Sequence, residues 1–151
     1  MQQINKNIDE YLISSDKSLL QINIIHKFLS ENAYWCIDIP KETIQKAIEH
    51  SFCIGIYAHD KQQVGFARII TDYATFGYLA DVFVLEEHRG KGLSKAMMAT
   101  VMELEWINGL RNFSLRTRDA HDLYRQFGFI ETSNPEWSMH ILKMDIYRSK
   151  K

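Results

Sequence analysis

Arg89-Gly90-Lys91-Gly92-Leu93-Ser94 places two cations and two glycines within six residues. The run follows an apolar, strand-like stretch from Tyr78 to Val84 and precedes a helix-like pattern that starts near Leu93. Glycine allows a backbone to approach a ligand closely. The first turn of a helix leaves N–H groups unpaired and carries partial positive charge. A strand feeding such a turn is therefore suited to a phosphorylated ligand; the same residues could otherwise form a solvated surface turn. The spacing is not that of a P-loop, because Gly-x-x-x-x-Gly-Lys-Ser/Thr is absent. It is a poor dinucleotide fingerprint too, with Lys95 where the third glycine belongs.

The elements that must position this turn follow from periodicity. Residues 8–14 read as a first strand. Ser18 with Gln21 fits a capping box ahead of a helix over about 18–31. Pro40 suits the first turn of a second helix over about 40–50. Apolar runs at 52–58, 64–71 and 76–84, separated by short polar turns, read as strands joined in antiparallel hairpins. A helix over about 92–107 and a strand at 113–117 follow. A short helix comes next, capped by Asp119 and stopped by Gly128. Strands at 129–131 and 139–146 complete the order βααβββαβαββ. Such a chain is α+β, one mixed and mostly antiparallel sheet flanked by helices. Its 151 residues make about one domain, with a core at about 8–147.

Composition narrows the function classes. A net charge of −1 gives no general electrostatic case for nucleic acid or a membrane surface as partner. No apolar run approaches the ~18 residues of a membrane span, and the N-terminus lacks the pattern of a signal peptide. Cys36 and Cys53 make neither a disulfide framework nor a ligand pair, and the six histidines are scattered, so no metal site is expected. Free thiols fit the cytoplasm. Nothing in the sequence demands a homodimer, although one is compatible with it.

Arg89-Gly90-Lys91-Gly92-Leu93-Ser94 resembles the (Gln/Arg)-x-x-Gly-x-(Gly/Ala) motif of the GNAT N-acetyltransferase superfamily. Asp81-Val82-Phe83-Val84 resembles that family's strand beside the pantetheine arm. Asp119 to Phe129 is similar to its Asn-x-x-Ala-x-x-x-Tyr-x-x-x-Gly-Phe region, shortened before the alanine. Two motifs about 30 residues apart, in the family's order, carry the resemblance over most of the chain. Ser94 departs from the usual Gly or Ala, Glu86 from a common proline, and Asp119 from a common asparagine.

The resemblance implies acetyl transfer from acetyl-CoA to an amine, most simply on a small molecule, without metal and without a covalent enzyme intermediate. It places Val82, Phe83 and Val84 on pantetheine and Arg89, Gly90, Lys91, Gly92, Leu93, Ser94 and Lys95 around the diphosphate. Ala120, Tyr124 and Phe127 are further cofactor contacts. Tyr124 is implied as the acid that protonates the departing sulfur, although its helical stripe with Leu123 and Phe127 also suits a core tyrosine. An alkyl ammonium near pKa ~10.4 must lose a proton before attack. Asp81 is the candidate base, directly or through water, unless it only holds a backbone group at a sheet irregularity. His121 and Asp72 are rivals. Tyr34, Trp35, Tyr73, Phe76 and Tyr78 are candidates for the amine pocket, where aromatics could hold a cation, or they are core and rim packing. A CoA-binding regulatory module without catalysis, or a protein-interaction domain, would use the same fold.

Overall fold

The computed structural model of the protein describes residues 2–148. Six strands form one sheet in sequence order: β1 (Asn5–Ile8), β2 (Tyr11–Ser14), β3 (Phe52–Tyr57), β4 (Gln63–Thr71), β5 (Phe76–Val84) and β6 (Asn112–Leu115). All neighbours run antiparallel except β5 and β6, which are parallel. The helices are α1 (Ile22–Glu31), α2 (Lys41–Glu49), α3 (Leu93–Met102), α4 (Glu105–Asn108) and α5 (His121–Arg125). The mixed α+β sheet expected from the sequence is therefore present.

Alternation along the strands sends side chains to two cores, one on each face of the sheet. Val64, Ala67 and Ile69 of β4 join Leu93, Met97 and Val101 of α3 and Ile107 of α4. Phe66, between them in sequence, joins Ile25 and Leu29 of α1 and Ile44 of α2 on the other side. No helix among the described residues is long and apolar enough to cross a membrane.

The ends of the chain differ from expectation. The expected strand at 8–14 is a hairpin, β1 and β2, turning at Asp9, whose φ is 52°. Ser18 is not a cap. Asp16 accepts hydrogen bonds from its N–H and hydroxyl at the head of a short 3-10 turn, and α1 starts only at Ile22. The helix expected over 92–107 breaks at Glu103–Leu104, where the backbone of Leu104 becomes extended (ψ 128°). Asp119 does not cap α5; the Thr117 hydroxyl accepts from the N–H of Ala120 instead. The strands expected at 129–131 and 139–146 are absent, because neither run pairs with the sheet.

Candidate active site

Strands β5 and β6 pair only from Phe76↔Asn112 to Leu79↔Leu115. There β6 ends, and β5 continues to Val84 with no ladder partner on that side among the described residues. A β-bulge sits just past the end of the pairing. Phe66 faces Phe83 and Arg68 faces Ala80, so β5 spends one residue more than β4. Asp81 lies in the bulge at φ 57°. Left-handed backbone is uncommon for a residue with a side chain, and aspartate is among the most tolerant. The bulge changes the alternation: Leu79 belongs to the α3 core, whereas Asp81 and Phe83 lie on the α1–α2 side. A bulge that re-aims a side chain where strand pairing ends is a recurrent way of building a site.

At the far end of the open edge stands the glycine turn. Gly90 and Gly92 have φ of 77° and 75°, and a Cβ at either would meet nothing within 4 Å. Glycine is thus required by backbone conformation, and the space before the turn is open. Gly92 is the N-cap of α3 and supplies no side-chain cap, so the first-turn N–H groups remain available to an anion. The cations of the turn each make one contact within the molecule. Arg89 donates through Nε to the carbonyl of Val84 at 2.9 Å, tying the turn to the strand end. Lys91 donates to the Tyr11 hydroxyl at 3.2 Å, and that hydroxyl also meets His88 at 2.8 Å. Both side chains brace the turn and remain exposed, as does Lys95, while Ser94 is half-buried.

Helix α5 supplies Tyr124. Its ring is buried in the core against Phe129, at 5.8 Å between centroids. Its hydroxyl makes no hydrogen bond among the described residues. Burial, aided by the negative charge of Asp119, pushes the phenol up to about 12. Tyr124 therefore keeps its proton at neutral pH. Ala120 and Phe127 flank the same core, half-buried. His121 is the exposed first residue of α5.

On the other face of the bulge lies a cavity of about 180 Å³ lined by Trp35, Ile39, Ile44, Phe66 and Tyr147, with Arg68 and Asp81 the only charged side chains of its lining among the described residues. Both carboxylate oxygens of Asp81 are held: Oδ2 by Arg68 Nε at 2.8 Å and Oδ1 by the indole N–H of Trp35 at 3.0 Å. Arg68 also donates to the Ser51 hydroxyl at 3.1 Å. The pair is largely shielded, with side chains 15% and 13% exposed. Cys36 lines the cavity as well. Burial pushes its thiol up to about 12, Asp81 adding to the effect, so it is a poor nucleophile.

The five aromatic candidates divide. Trp35 lines the cavity, and Tyr34 packs edge-on against it at 5.1 Å while lying 3.8 Å beneath the Arg118 guanidinium. Tyr78 is on the same side, its phenol raised by burial and influenced by Arg116, Asp81 and Tyr34. Tyr73 does not join them: it packs on Trp106 of α4 at 4.9 Å. Phe76, half-exposed at the hairpin end, is not in the lining either. Asp72 holds the β4–β5 turn, accepting from the N–H groups of Ala74, Thr75 and Phe76 and from the Thr75 hydroxyl. Those bonds, the Thr75 hydroxyl first, hold its carboxyl well below the usual range and make it a poor base. Arg68, Ser51 and Tyr147 had no place in the sequence reading. The one usable signal was a charge, Arg68, inside the apolar run Val64–Thr71. Among the described residues no three His, Cys, Asp or Glu side chains gather as a metal-binding group.

The six-stranded mixed sheet flanked by helices, with one parallel pair that ends at a bulge and a glycine turn at the start of α3, matches the GNAT fold. The model of the acetyltransferase (GNAT) domain matches residues 50–131. The chain is similar to a crystal structure from Xanthomonas campestris assigned to the GNAT acetyltransferases, with 48% identity and a TM-score of 0.89 over 93% of this chain and 99% of that one. It is 34% identical over 134 residues to a protein of Gibberella zeae named an acetyltransferase, covering 76% of each. The fold is shared with glucosamine-6-phosphate N-acetyltransferase of Arabidopsis thaliana, at 16% identity and a TM-score of 0.59 over 88% of this chain and 97% of that one. The chain belongs to the GNAT acetyltransferase family.

Proposed function

We propose that the protein transfers an acetyl group from acetyl-CoA directly to a primary amine of a small molecule. The observation that carries this reading is the geometry of β5. Beyond Leu79 one strand has an edge without a ladder partner among the described residues, leading to a helix start with no side-chain cap, and at its bulge it presents a carboxylate to a partly open cavity on the opposite side.

The residues fit the nucleotide thioester. The edge of β5 beyond Leu79, which has no ladder partner on its β6 side among the described residues, suits an extended amide-bearing chain, which would complete the edge as a strand does. The α3 N–H groups and the open space before Gly90 and Gly92 suit a diphosphate. When bound, acetyl-CoA supplies the activated acetyl group. Tyr124 holds a proton on Oη for the departing sulfur, and its buried ring keeps that proton in place. Asp81 accepts a hydrogen bond from the incoming ammonium and, directly or through water, takes its proton. Arg68 and Trp35 fix the carboxylate for this part. The cavity of about 180 Å³ limits the acceptor to a small group or the end of a longer one.

The test is thiol release from acetyl-CoA with a panel of small primary amines, including amino acids, amino sugars and arylamines. Amine-dependent release that falls about 100-fold in Tyr124→Phe is expected. Acetyl-CoA binding with no release across the panel would replace this reading with a regulatory CoA-binding module.

A further inference from the structure

The ion pair in the cavity is incompletely made. A carboxylate beside a guanidinium ordinarily engages it through two parallel bonds. Here Asp81 gives only Oδ2 to Arg68, through Nε at 2.8 Å, and turns Oδ1 to the indole N–H of Trp35 at 3.0 Å. Nη2 of Arg68, the nitrogen that would complete the pair, makes no hydrogen bond among the described residues. It is not sealed from solvent either: among the described residues, the buried side-chain nitrogens and oxygens without a partner are Tyr57 Oη and Trp106 Nε1. Arg68 lines the cavity, so this edge of its fork is open to an occupant.

The fork is also held in place. Nη1 donates to the Ser51 hydroxyl at 3.1 Å, and that hydroxyl donates to the carbonyl of Ala47 in α2 at 2.7 Å. A guanidinium fixed by both Asp81 and Ser51, with one edge free, is a preorganised receiver for a second carboxylate.

Charge and shape select the ligand that brings it. The lining carries one cation and one anion among the described residues, so its charge sums to zero. An amine with no other charge would meet Asp81 and be repelled by Arg68 close beside it, with little water to screen the two. An α-amino acid holds an ammonium and a carboxylate on one carbon. It therefore matches a cation and an anion whose nearest atoms are 2.8 Å apart. The wall that α2 adds is apolar at Ile44, Ala47 and Ile48, with Phe66 of β4 in the same lining and Thr43 as a neutral exception. Such a wall suits an apolar side chain.

We propose that the acceptor is an α-amino acid with an apolar side chain, its carboxylate received by Nη2 of Arg68, its ammonium by Asp81 and its side chain by the wall of α2. This rests on the reading that the cavity beside Asp81 receives the acceptor of the acetyl group. The α-amino nitrogen forms the new N–C bond as the C–S bond of the thioester breaks. Of the protons shed by the ammonium, one ends on the departing sulfur and the other in solvent. The products are an N-acetylamino acid and a free thiol.

Thiol release is measured with the parent protein, acetyl-CoA and matched acceptors built on leucine, methionine and phenylalanine: the L-amino acid, its amide and its decarboxylated amine. In the best-used series kcat/KM for the amino acid should exceed both analogues at least ~100-fold. Parity there, or preference for an analogue, would overturn the proposal, as would faster turnover of serine or glutamate. Arg68→Lys keeps a cation beside Asp81 but has no fork. It should bring the ratio of amino acid to amide close to one. A ratio left in place while both rates fall would make Arg68 a structural link and end the proposal. A parent that releases no thiol with any amine defeats acetyl transfer itself, and calorimetry with CoA present then decides the pocket. Heat with the amino acids alone, lost in Arg68→Lys, upholds the amino-acid site; heat with the amides as well, or with neither, overturns it.

Discussion

The glycine turn and the Arg68–Asp81 pocket lie off the same stretch of β5, yet they are built from different material. The turn is a backbone site. It rests on two left-handed glycines and on a helix start with no side-chain cap, and two of its cations, Arg89 and Lys91, brace it. The pocket is a side-chain site, assembled from the segment after α1, from α2, β4 and β5, and from Tyr147 near the end of the chain. A backbone site tolerates change in every side chain that does not fill it. A side-chain site fails when one partner of a shielded pair is removed.

The largest effect should come from the pocket. Asp81→Ala leaves the Arg68 guanidinium shielded and unpaired. Removing one partner of such a pair costs about 3–5 kcal/mol when buried, toward the low end here because some solvent reaches it. Thermal unfolding should fall by roughly 10 °C, and turnover by at least ~100-fold. The double variant Arg68→Met with Asp81→Asn sharpens the comparison, since it removes both charges while keeping at position 81 a residue that tolerates left-handed backbone, and stability should largely return. Stability regained without activity would assign Asp81 to the chemistry. Activity regained along with stability would reduce the pair to a structural link.

Next comes Tyr124→Phe. The ring stays packed and only the hydroxyl is lost, so kcat should drop about 100-fold while acetyl-CoA affinity holds. The pH profile adds a signed test. Burial disfavours the phenolate, so the donor form persists to about 12 and is lost only as pH rises through that value. No alkaline fall attributable to Tyr124 should appear between neutrality and pH 10. A fall centred near the ordinary tyrosine value of ~10 would contradict the buried setting.

The smallest effect is expected at the hairpin tip. Asp72→Asn weakens a turn and lies away from the cavity lining, so it should lower thermal stability slightly and leave kcat/KM unchanged. A large kinetic loss would return Asp72 to the list of bases.

The same contrast explains what could be read from the chain alone. Strand β5 was legible residue for residue, because apolar alternation between turn signals depends on neighbours in sequence. So was the glycine turn, whose backbone requirement is written in Gly90 and Gly92 themselves. The pocket was legible only in fragments. Trp35 and Asp81 were singled out, but their meeting depends on a bulge with no local signature. Tyr73 was drawn to Trp106 instead, a partner 33 residues away. Arg68 was passed over because a single charge in an apolar strand does not announce its partner. The strands expected at 139–146 fail for a related reason. Alternation states that a segment can pair, and says nothing of whether its own sheet supplies the partner.

The central claim is that the glycine turn and the open edge of β5 hold acetyl-CoA, and calorimetric titration tests it most directly. The parent protein should bind acetyl-CoA at one site with micromolar affinity and should not bind NADH. Gly92→Glu, shown to be folded by circular dichroism, should bind at least ~100-fold more weakly, because it sets a carboxylate before the N–H groups that would receive the diphosphate. Undiminished binding in that variant, or none in the parent, would contradict the account.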